Sequence, residues 1–288
     1  SSWAGYMGDG PVRIGNGAFD QHQNDVWGAL MDSIYIHQLV LEMDPSRTEE
    51  NKRLITGLAE AAIAAWPNPD QGIWEARGEP KHYVSSKLMM WVAVDRAARI
   101  FARIGEQKQA DAWRAKADEF QAEILDKGQI DLVFRQHYDT DALDASVLLM
   151  PLVRFLPPDD ERIVATVLAI NDELNDGGLI LRYEVTETDD GLHGREGTFL
   201  LCSFWRVAAL SEIGERGKAR ALCERLLAVA GSLDLYAEEL DTETNQHLGN
   251  FPQAFTHLAL INAVSHVIAD ENRDEAEGPT AVFSEMRN

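Results

Sequence analysis

Apolar positions along this chain follow two alternating patterns. In five stretches they occupy nearly the whole helical circumference: Val26–Leu41, Tyr83–Ile104, Asp141–Leu156, Gly197–Ile213 and Asn250–Ala269. A helix that is apolar all round is expected to be buried on every side. The stretches between them are one-sided. Residues 47–66 offer Leu54, Leu58, Ala61 and Ala65; 107–126 offer Ala110, Trp113, Ala117, Phe120 and Ile124. Residues 159–174 offer Ile163, Val167, Ile170 and Leu174, and 216–230 offer Ala219, Leu222, Leu226 and Ala230. Spacings of three and four predict amphipathic helices with one wet face.

The connections alternate as well. Inner-to-outer links are short ("EMDPS", "GEQ", "PPD", "GER"), whereas the outer-to-inner links 67–82, 127–140, 175–194 and 231–249 are long. Long connections inside a compact domain usually carry function. If each helical pair steps sideways, the long links gather at the N-terminal ends of the inner helices. The prediction is an all-α, double-layered toroid with its site at one mouth. Residues 1–270 are expected to form this barrel portion and 271–288 a loosely docked polar tail. Equal layers in a closed ring need a further inner and at least one more outer helix, so the ring is expected to be incomplete at its N-terminus. The apolar flank around Val26–Leu41 should then be uncovered and favour self-association.

Composition narrows the partners. Of 288 residues, 45% are hydrophobic, enough for a substantial core. The 48 acids outnumber the 26 bases, for a net charge of −22. Nucleic acid needs a positive footprint and is excluded as a partner. An anionic membrane surface or a highly anionic ligand is disfavoured on the same ground, while a neutral ligand such as a sugar is compatible. Solubility is the plainer reason for the acidity. Cys202 and Cys223 lie in apolar helical contexts and read as core thiols. The eight histidines show no ligand spacing, so no metal is expected. No apolar run is long enough to span a bilayer.

Chemistry gathers on two of the long links. "PDQGIWEARGEP" (69–80) sets Trp74 beside Glu75, and "YAEEL" (236–240) carries Glu238 and Glu239. Two carboxylates across a cleft with an aromatic wall are what glycosidic cleavage requires: one protonates the leaving oxygen and the other activates water or attacks the anomeric carbon. An aromatic face stacks on the C–H face of a sugar. Acids are abundant here, so periodicity alone does not single out this pair.

Five motifs in order are more specific: "GPVRIGNGAFDQHQNDVWG" (10–28), "PDQGIWEARGEPKHYVSSK" (69–87), "YDTDALDASVLLMPLVRFLPPDD" (138–160), "LILRYE…DGLHGREGTFLLCSFW" (179–205) and "YAEELDTETNQHLGNFPQAFTHLALI" (236–261). With them the chain resembles bacterial members of glycoside hydrolase family 15, the glucoamylase and trehalase-like enzymes, from about residue 5 to residue 268. The resemblance implies an (α/α)6 barrel and inverting, exo-acting hydrolysis of an α-glucoside (α-glucan, maltooligosaccharide or trehalose) without a cofactor. By the motifs, Glu75 matches the general acid and Glu238 the general base. Arg182 of "LRY" matches an arginine that binds the terminal sugar, Trp74 lines the same pocket, and Trp3 stands where a substrate-contacting tryptophan can occur. An inverting pair should lie roughly 6.5–9.5 Å apart, to admit a water. An earlier family motif, whose arginine and aspartate hold the non-reducing glucose, does not occur in this chain, nor does the N-terminal β-domain of bacterial relatives. A truncated, non-catalytic carbohydrate-binding or scaffold remnant is therefore the alternative.

Each residue also has a duller reading. Arg182 can be a structural ion pair, Trp74 a plug on the core, and Glu239 competes with Glu238. Asp20, Gln21 and Asp25 look like helix-start polar residues, with Asp20 a candidate cap. "DTDALD" (139–144) lacks the glycine and terminal glutamate of a calcium loop and reads as a helix cap. His82, Lys87 and Arg77 either tune Glu75 or pair on the surface.

Overall fold

The computed structural model describes residues 5–8, 14–40, 48–185, 188 and 196–277. Helices dominate, and the chain divides into two compact units. Residues 15–155 build the first. It contains α1 (Val26–Val40), α2 (Glu49–Ala65), α3 (Val84–Arg103), α4 (Gln107–Lys127) and the hairpin β1 (Gln129–Ile130)–β2 (Val133–Phe134). A 3-10 turn, Ala145–Leu148, then runs into the short α5 (Leu149–Leu152).

The hub of this unit is α3, which packs against α1, α2 and α4. Its side chains are buried nearly all round, as the pattern predicts. Helix α4 buries the five predicted positions, Ala110, Trp113, Ala117, Phe120 and Ile124. On α2, capped by the Thr48 hydroxyl accepting from Asn51 N–H, the inward face is Ile55, Leu58, Ala59 and Ala62. Leu54 is instead 52% exposed. Both faces of α2 carry aliphatics and alanines, so spacing alone misplaces the stripe by one residue.

The expected all-round burial of α1 is corrected. Met31 and Gln38 face inward, and Gly28 approaches Met89 so closely that a methyl there would overlap its carbonyl. Val26, Leu30, Ile36 and Leu39 are exposed, so an apolar flank is uncovered in this stretch. A fully buried carboxylate ties α3 to α4. Asp95 accepts from Arg96 Nη1 and Arg99 Nε, both 2.7 Å, and from Arg114 Nη1 at 2.6 Å. Burial opposes its charge, but the arginines prevail and hold its pKa below the usual carboxylate range. Arg96 reaches on to Asp32 of α1 at 2.7 Å.

The helix expected over 141–156 is broken. Asp144 caps the 3-10 turn, accepting from Ser146 N–H at 2.7 Å, so "DTDALD" does end in a cap. Pro151 lacks an N–H for a longer α-helical ladder. The segment then closes at Arg154, whose φ is 59°.

The second unit contains residues 156–184 and 196–277 together with 5–8. Its elements are α6 (Glu161–Glu173), the hairpin β3 (Asn175–Asp176)–β4 (Leu179–Ile180), β5 (Thr198–Phe199), α7 (Leu200–Glu212), α8 (Arg216–Ala228), β6 (Glu239–Asp241), β7 (Gln246–Leu248) and α9 (Ala254–Glu277). Strands β5, β6 and β7 form one antiparallel sheet in that order. The hub here is α7, packed on α6, α8 and α9. It starts later than the pattern predicts because Thr198 and Phe199 pair with Leu240 and Glu239 in the sheet.

Helix α6 buries Ile163, Val167 and Ile170 as predicted, and Leu174 just beyond it is buried too. On α8, Ala219, Leu222 and Leu226 are buried, with Cys223 beside them, whereas Ala230 is only half-buried. Both cysteines are buried and in no disulfide among the described residues. Helix α9 departs from all-round burial as α1 does. Thr256, Ala259, Ala263 and Asp270 face inward, and Phe255, Leu258, Ile261 and Ile268 are exposed. It also runs on to Glu277, into the stretch expected to be tail. Residues 278–288 lie outside the described residues.

One turn recurs after the hub helices. Gly105 (φ 84°) and Gly214 (φ 86°) take left-handed backbone, and the next N–H closes back five residues, Glu106 to Phe101 O and Glu215 to Leu210 O. This is a Schellman closure. Phe155 N–H to Met150 O repeats it with Arg154 in the glycine position. The long links are not bare loops: three of them carry small hairpins, which the sequence pattern did not reveal.

Candidate active site

The first candidate loop, 69–80, belongs to the first unit and is anchored by two buried acids. Asp70 and Lys81 bridge its ends by backbone bonds of 3.0 and 2.8 Å. The Asp70 carboxylate accepts from Asn24 N–H at 2.7 Å and Gly72 N–H at 3.2 Å. Asp144 accepts from Trp74 Nε1 at 2.9 and 3.0 Å and from Gln136 Nε2 at 3.1 Å. Burial pushes the pKa of both acids up, and the donated hydrogen bonds oppose it. Trp74 is thus half-buried with its indole N–H fixed, which sets the orientation of its ring.

Glu75 follows at a φ of 57°. Left-handed backbone is uncommon for a residue with a Cβ and points the side chain away from the course a strand or helix would give it. Gln21 holds this turn, its side-chain amide donating to the carbonyls of Glu75 at 3.3 Å and Ala76 at 3.0 Å. Asn16 Nδ2 donates to Glu75 Oε2 at 2.8 Å. Oε1 of Glu75 has no hydrogen-bond partner among the described residues.

Gln21 therefore does more than start a helix. Asp25, not Asp20, stands immediately before α1. Burial raises the pKa of Asp25, with the Asp70 carboxylate adding to it. Lys87 is engaged elsewhere: its Nζ donates to the Trp66 carbonyl and, at 3.3 Å, to that of Asn68, at the C-terminal end of α2. Burial lowers its pKa to about 8. His82 stacks on Tyr138, and the exposed Arg77 lies over Gly17.

The second candidate loop, 236–250, belongs to the second unit and is built on backbone pairing. Glu238 N–H donates to Asn250 O, and Glu238 O accepts from Leu200 N–H, both at 3.0 Å. Its carboxylate oxygen Oε2 accepts from Asn250 N–H at 3.1 Å and from Asn250 Nδ2 at 3.0 Å. The next residue turns the other way. Glu239 sits in β6, and its Oε2 accepts from Gly197 N–H at 3.0 Å. Burial raises the Glu239 pKa to about 7, with Glu196 and Glu238 adding to the rise and Arg182 opposing it.

Two histidines support the preceding residues. His247 Nδ1 accepts from Ala237 N–H at 3.1 Å while its Nε2 lies 3.0 Å from Val229 O, which requires the Nε2–H tautomer. His257 Nε2 accepts from Tyr236 N–H at 3.4 Å.

Arg182, in the same unit, forms a two-pronged pair with Glu196, through Nε at 2.8 Å and through Nη2. Its guanidinium lies 4.8 Å from the Tyr183 ring centre and 5.6 Å from that of Phe199. Burial opposes the charge, but Glu196 outweighs it and the pKa is raised. The ion-pair reading of Arg182 is thereby met. Trp3 lies outside the described residues. Among the described residues no group of three or more His, Cys, Asp or Glu could hold a metal ion, and no helix is long and apolar enough to cross a membrane.

A family model described as glycosyl hydrolases family 15 matches residues 2–265. The chain belongs to that family. A trehalase of Mycobacterium tuberculosis is 56% identical over 277 residues, 96% of this chain and 40% of the relative. A trehalase of Thermoplasma acidophilum is 39% identical over 263 residues, 89% of this chain and 44% of the relative. This family-15 chain thus spans about two fifths of the length of the curated relatives it matches. Among solved structures, a wild-type glycosidase superposes with a TM-score of 0.72 at 18% identity, covering 88% of this chain and 69% of that one. A bacterial glucoamylase complexed with acarbose gives 0.69 at 15% identity, covering 86% and 41%. The fold class is accordingly that of the (α/α)6 glucoamylase-like glycosidases, as the family resemblance implies.

Proposed function

We propose that this chain carries the acid and the base of an inverting, exo-acting α-glucoside hydrolase, and that its substrate is trehalose. The observation that carries the reading is shared by the two motif glutamates. Each has Oε2 held by an asparagine amide, from Asn16 or Asn250, and an Oε1 with no protein partner among the described residues. A carboxyl group fixed at one oxygen and open at the other suits directed proton transfer.

In this reading Glu75 gives its proton to the glycosidic oxygen as the bond to the anomeric carbon breaks. Glu238 takes a proton from the water that attacks the opposite face of that carbon. No covalent intermediate forms, and no cofactor enters. In this reading Trp74, through its oriented ring, and Arg182, through a guanidinium fixed by Glu196, are sugar-binding groups, and Trp3 is added to them by its motif position alone. The choice of trehalose over other α-glucosides rests on the relatives: the 56% and 39% identical proteins are both trehalases.

Trehalose joins two α-anomeric carbons, so the products of early turnover are diagnostic. Proton NMR in the first minutes with the whole polypeptide should show one β-glucose for each α-glucose, without added phosphate. α-Glucose alone would mean retention and overturn the direct attack of water. Sugar binding with no glucose release would favour the non-catalytic alternative.

A further inference from the structure

Around Glu238 the hydrogen bonds are lopsided in a way that a mere loop tether does not need. Both N–H groups of Asn250, backbone and side chain, converge on the same carboxylate oxygen, Oε2, at 3.1 and 3.0 Å. The Asn250 carbonyl takes the Glu238 N–H in return. The residue before it is shaped for this approach. Gly249 has a φ of 72°, and a Cβ there would lie 2.8 Å from Glu238 Oε2 and 3.1 Å from Glu238 Cβ. Only glycine both adopts that backbone readily and lets the chain pass so close to the carboxylate. Oε1 receives no donor among the described residues.

We propose that Asn250 is the positioning residue of the base: it saturates Oε2 so that Oε1 alone accepts the proton from the attacking water. This rests on the reading of Glu238 as the base. Two donors on one oxygen occupy its lone pairs and fix the carboxylate plane, so the lone pairs of Oε1 stay open and face one direction. An unheld carboxylate would sample orientations in which neither oxygen is aligned with the water, and small misalignments are costly in rate. Because Asn250 acts through Glu238, its loss should appear in kcat far more than in KM.

Two variants of the whole polypeptide test this. Asn250→Ala removes the side-chain donor and should lower kcat about 10- to 100-fold with KM within about twofold. Asn250→Asp keeps the shape and the backbone donor but sets a carboxylate against Oε2. A like charge disfavours ionisation, so the acid limb of the kcat/KM profile should move up by about one pH unit. A purely structural Asn250 would lower the melting temperature and leave that limb in place; that result, or a kcat loss below about twofold in Asn250→Ala, overturns the proposal. The Asn250→Asp profile decides the matter even if Asn250→Ala does not fold.

Glu238→Ala with added azide tests the underlying reading separately. If Glu238 is the base, turnover is lost and then restored by azide, which attacks the anomeric carbon in place of water and needs no base. The new carbon–nitrogen bond replaces the carbon–oxygen bond, and the leaving glucose takes its proton from Glu75. A fully active Glu238→Ala sinks the base assignment itself. Azide rescue combined with an unmoved Asn250→Asp profile sinks only the positioning role.

Discussion

The two glutamate loops are held by opposite means. Loop 69–80 has no strand ladder: beyond the Asp70–Lys81 bridge and the backbone bonds from Gln71 N–H to His22 O, Glu75 N–H to Gly72 O and Ala76 N–H to Gln71 O, its shape depends on side chains reaching to it from elsewhere in its unit. Asp144 takes the Trp74 indole, Gln21 takes the carbonyls of Glu75 and Ala76, and Asn16 takes the carboxylate. Loop 236–250 is a strand pair, with β6 between β5 and β7, and its tethers are mostly backbone groups and neutral acceptors. Charged acceptors in a buried place make strong hydrogen bonds but leave costly unpaired donors when removed. A ladder spreads the same task over many weaker bonds. The loop of the proposed acid should therefore be the fragile one, and the loop of the proposed base the tolerant one.

The sharpest way to break this comparison is at the glutamates themselves. Glu75→Gln and Glu238→Gln should each lower kcat on trehalose by about 10²- to 10⁴-fold, the usual reach of a general acid or base. They should part company on a glucoside with a nitrophenolate leaving group. That anion departs without a proton, so Glu75→Gln should recover most of its rate and Glu238→Gln should not. If both recover alike, the acid and base roles are not divided as proposed. If Glu239→Gln is the inactive variant while Glu238→Gln survives, the base is one residue further on.

Next in size is a contrast of tethers. Asp144→Ala deprives Trp74 Nε1, Gln136 Nε2 and Ser146 N–H of their common acceptor. The cost should be about 3 kcal/mol, seen as a lower melting temperature, with kcat/KM falling as Trp74 is released. Thr256→Val in the second unit frees one carbonyl, that of Ala237, now bonded at 3.0 Å. It should cost about 1 kcal/mol and leave kcat/KM nearly unchanged. Equal losses would remove the distinction between the two loops.

Much of the fold was legible because α3, α4 and α6 obey periodicity. On α4 and α6 Trp113, Phe120, Ile163 and Val167 are buried where their spacing sets them, and α3 is buried nearly all round. Helix α2 was misread by one residue because alanine and leucine occur on both faces, and only packing on α3 decides between Leu54 and Ile55. α1 and α9 were misread because an apolar circumference says what burial a helix tolerates, not what covers it. In the candidate site, Glu75, Glu238, Trp74 and Arg182 came from motifs. Their holders Asn16, Gln21, Asp144, Glu196 and Asn250 did not, since polar residues on loops meet their partners only through the tertiary path of the chain. A signal was present in "LGN" at 248–250: a glycine–asparagine pair so soon after an acidic strand suggests a tight return toward it.

The remaining expected effect concerns Glu239, the acid beside the proposed base. Glu239 points inward, accepts from Gly197 N–H, and is raised to about 7 by burial, by Glu196 and by Glu238. The ordinary value for a glutamate, taken for the unfolded chain, is 4.5. Between these values the folded chain keeps a proton that the unfolded chain has lost, so stability falls as pH rises from about 4.5 through about 7 and then levels off. Glu239→Gln keeps an acceptor for Gly197 and removes the charge. It should match the parent below pH ~4.5 and exceed it above pH ~7, by an amount of order 1–3 kcal/mol. Urea unfolding across that range measures the difference directly. The difference between Thr256→Val and the parent should show no such slope, because both keep Glu239. If Glu239→Gln is less stable than the parent at every pH, Glu239 braces the loop as an ionised partner of Arg182. The base loop would then depend on charge as the acid loop does, and the contrast between them would fail at the residue where it is finest.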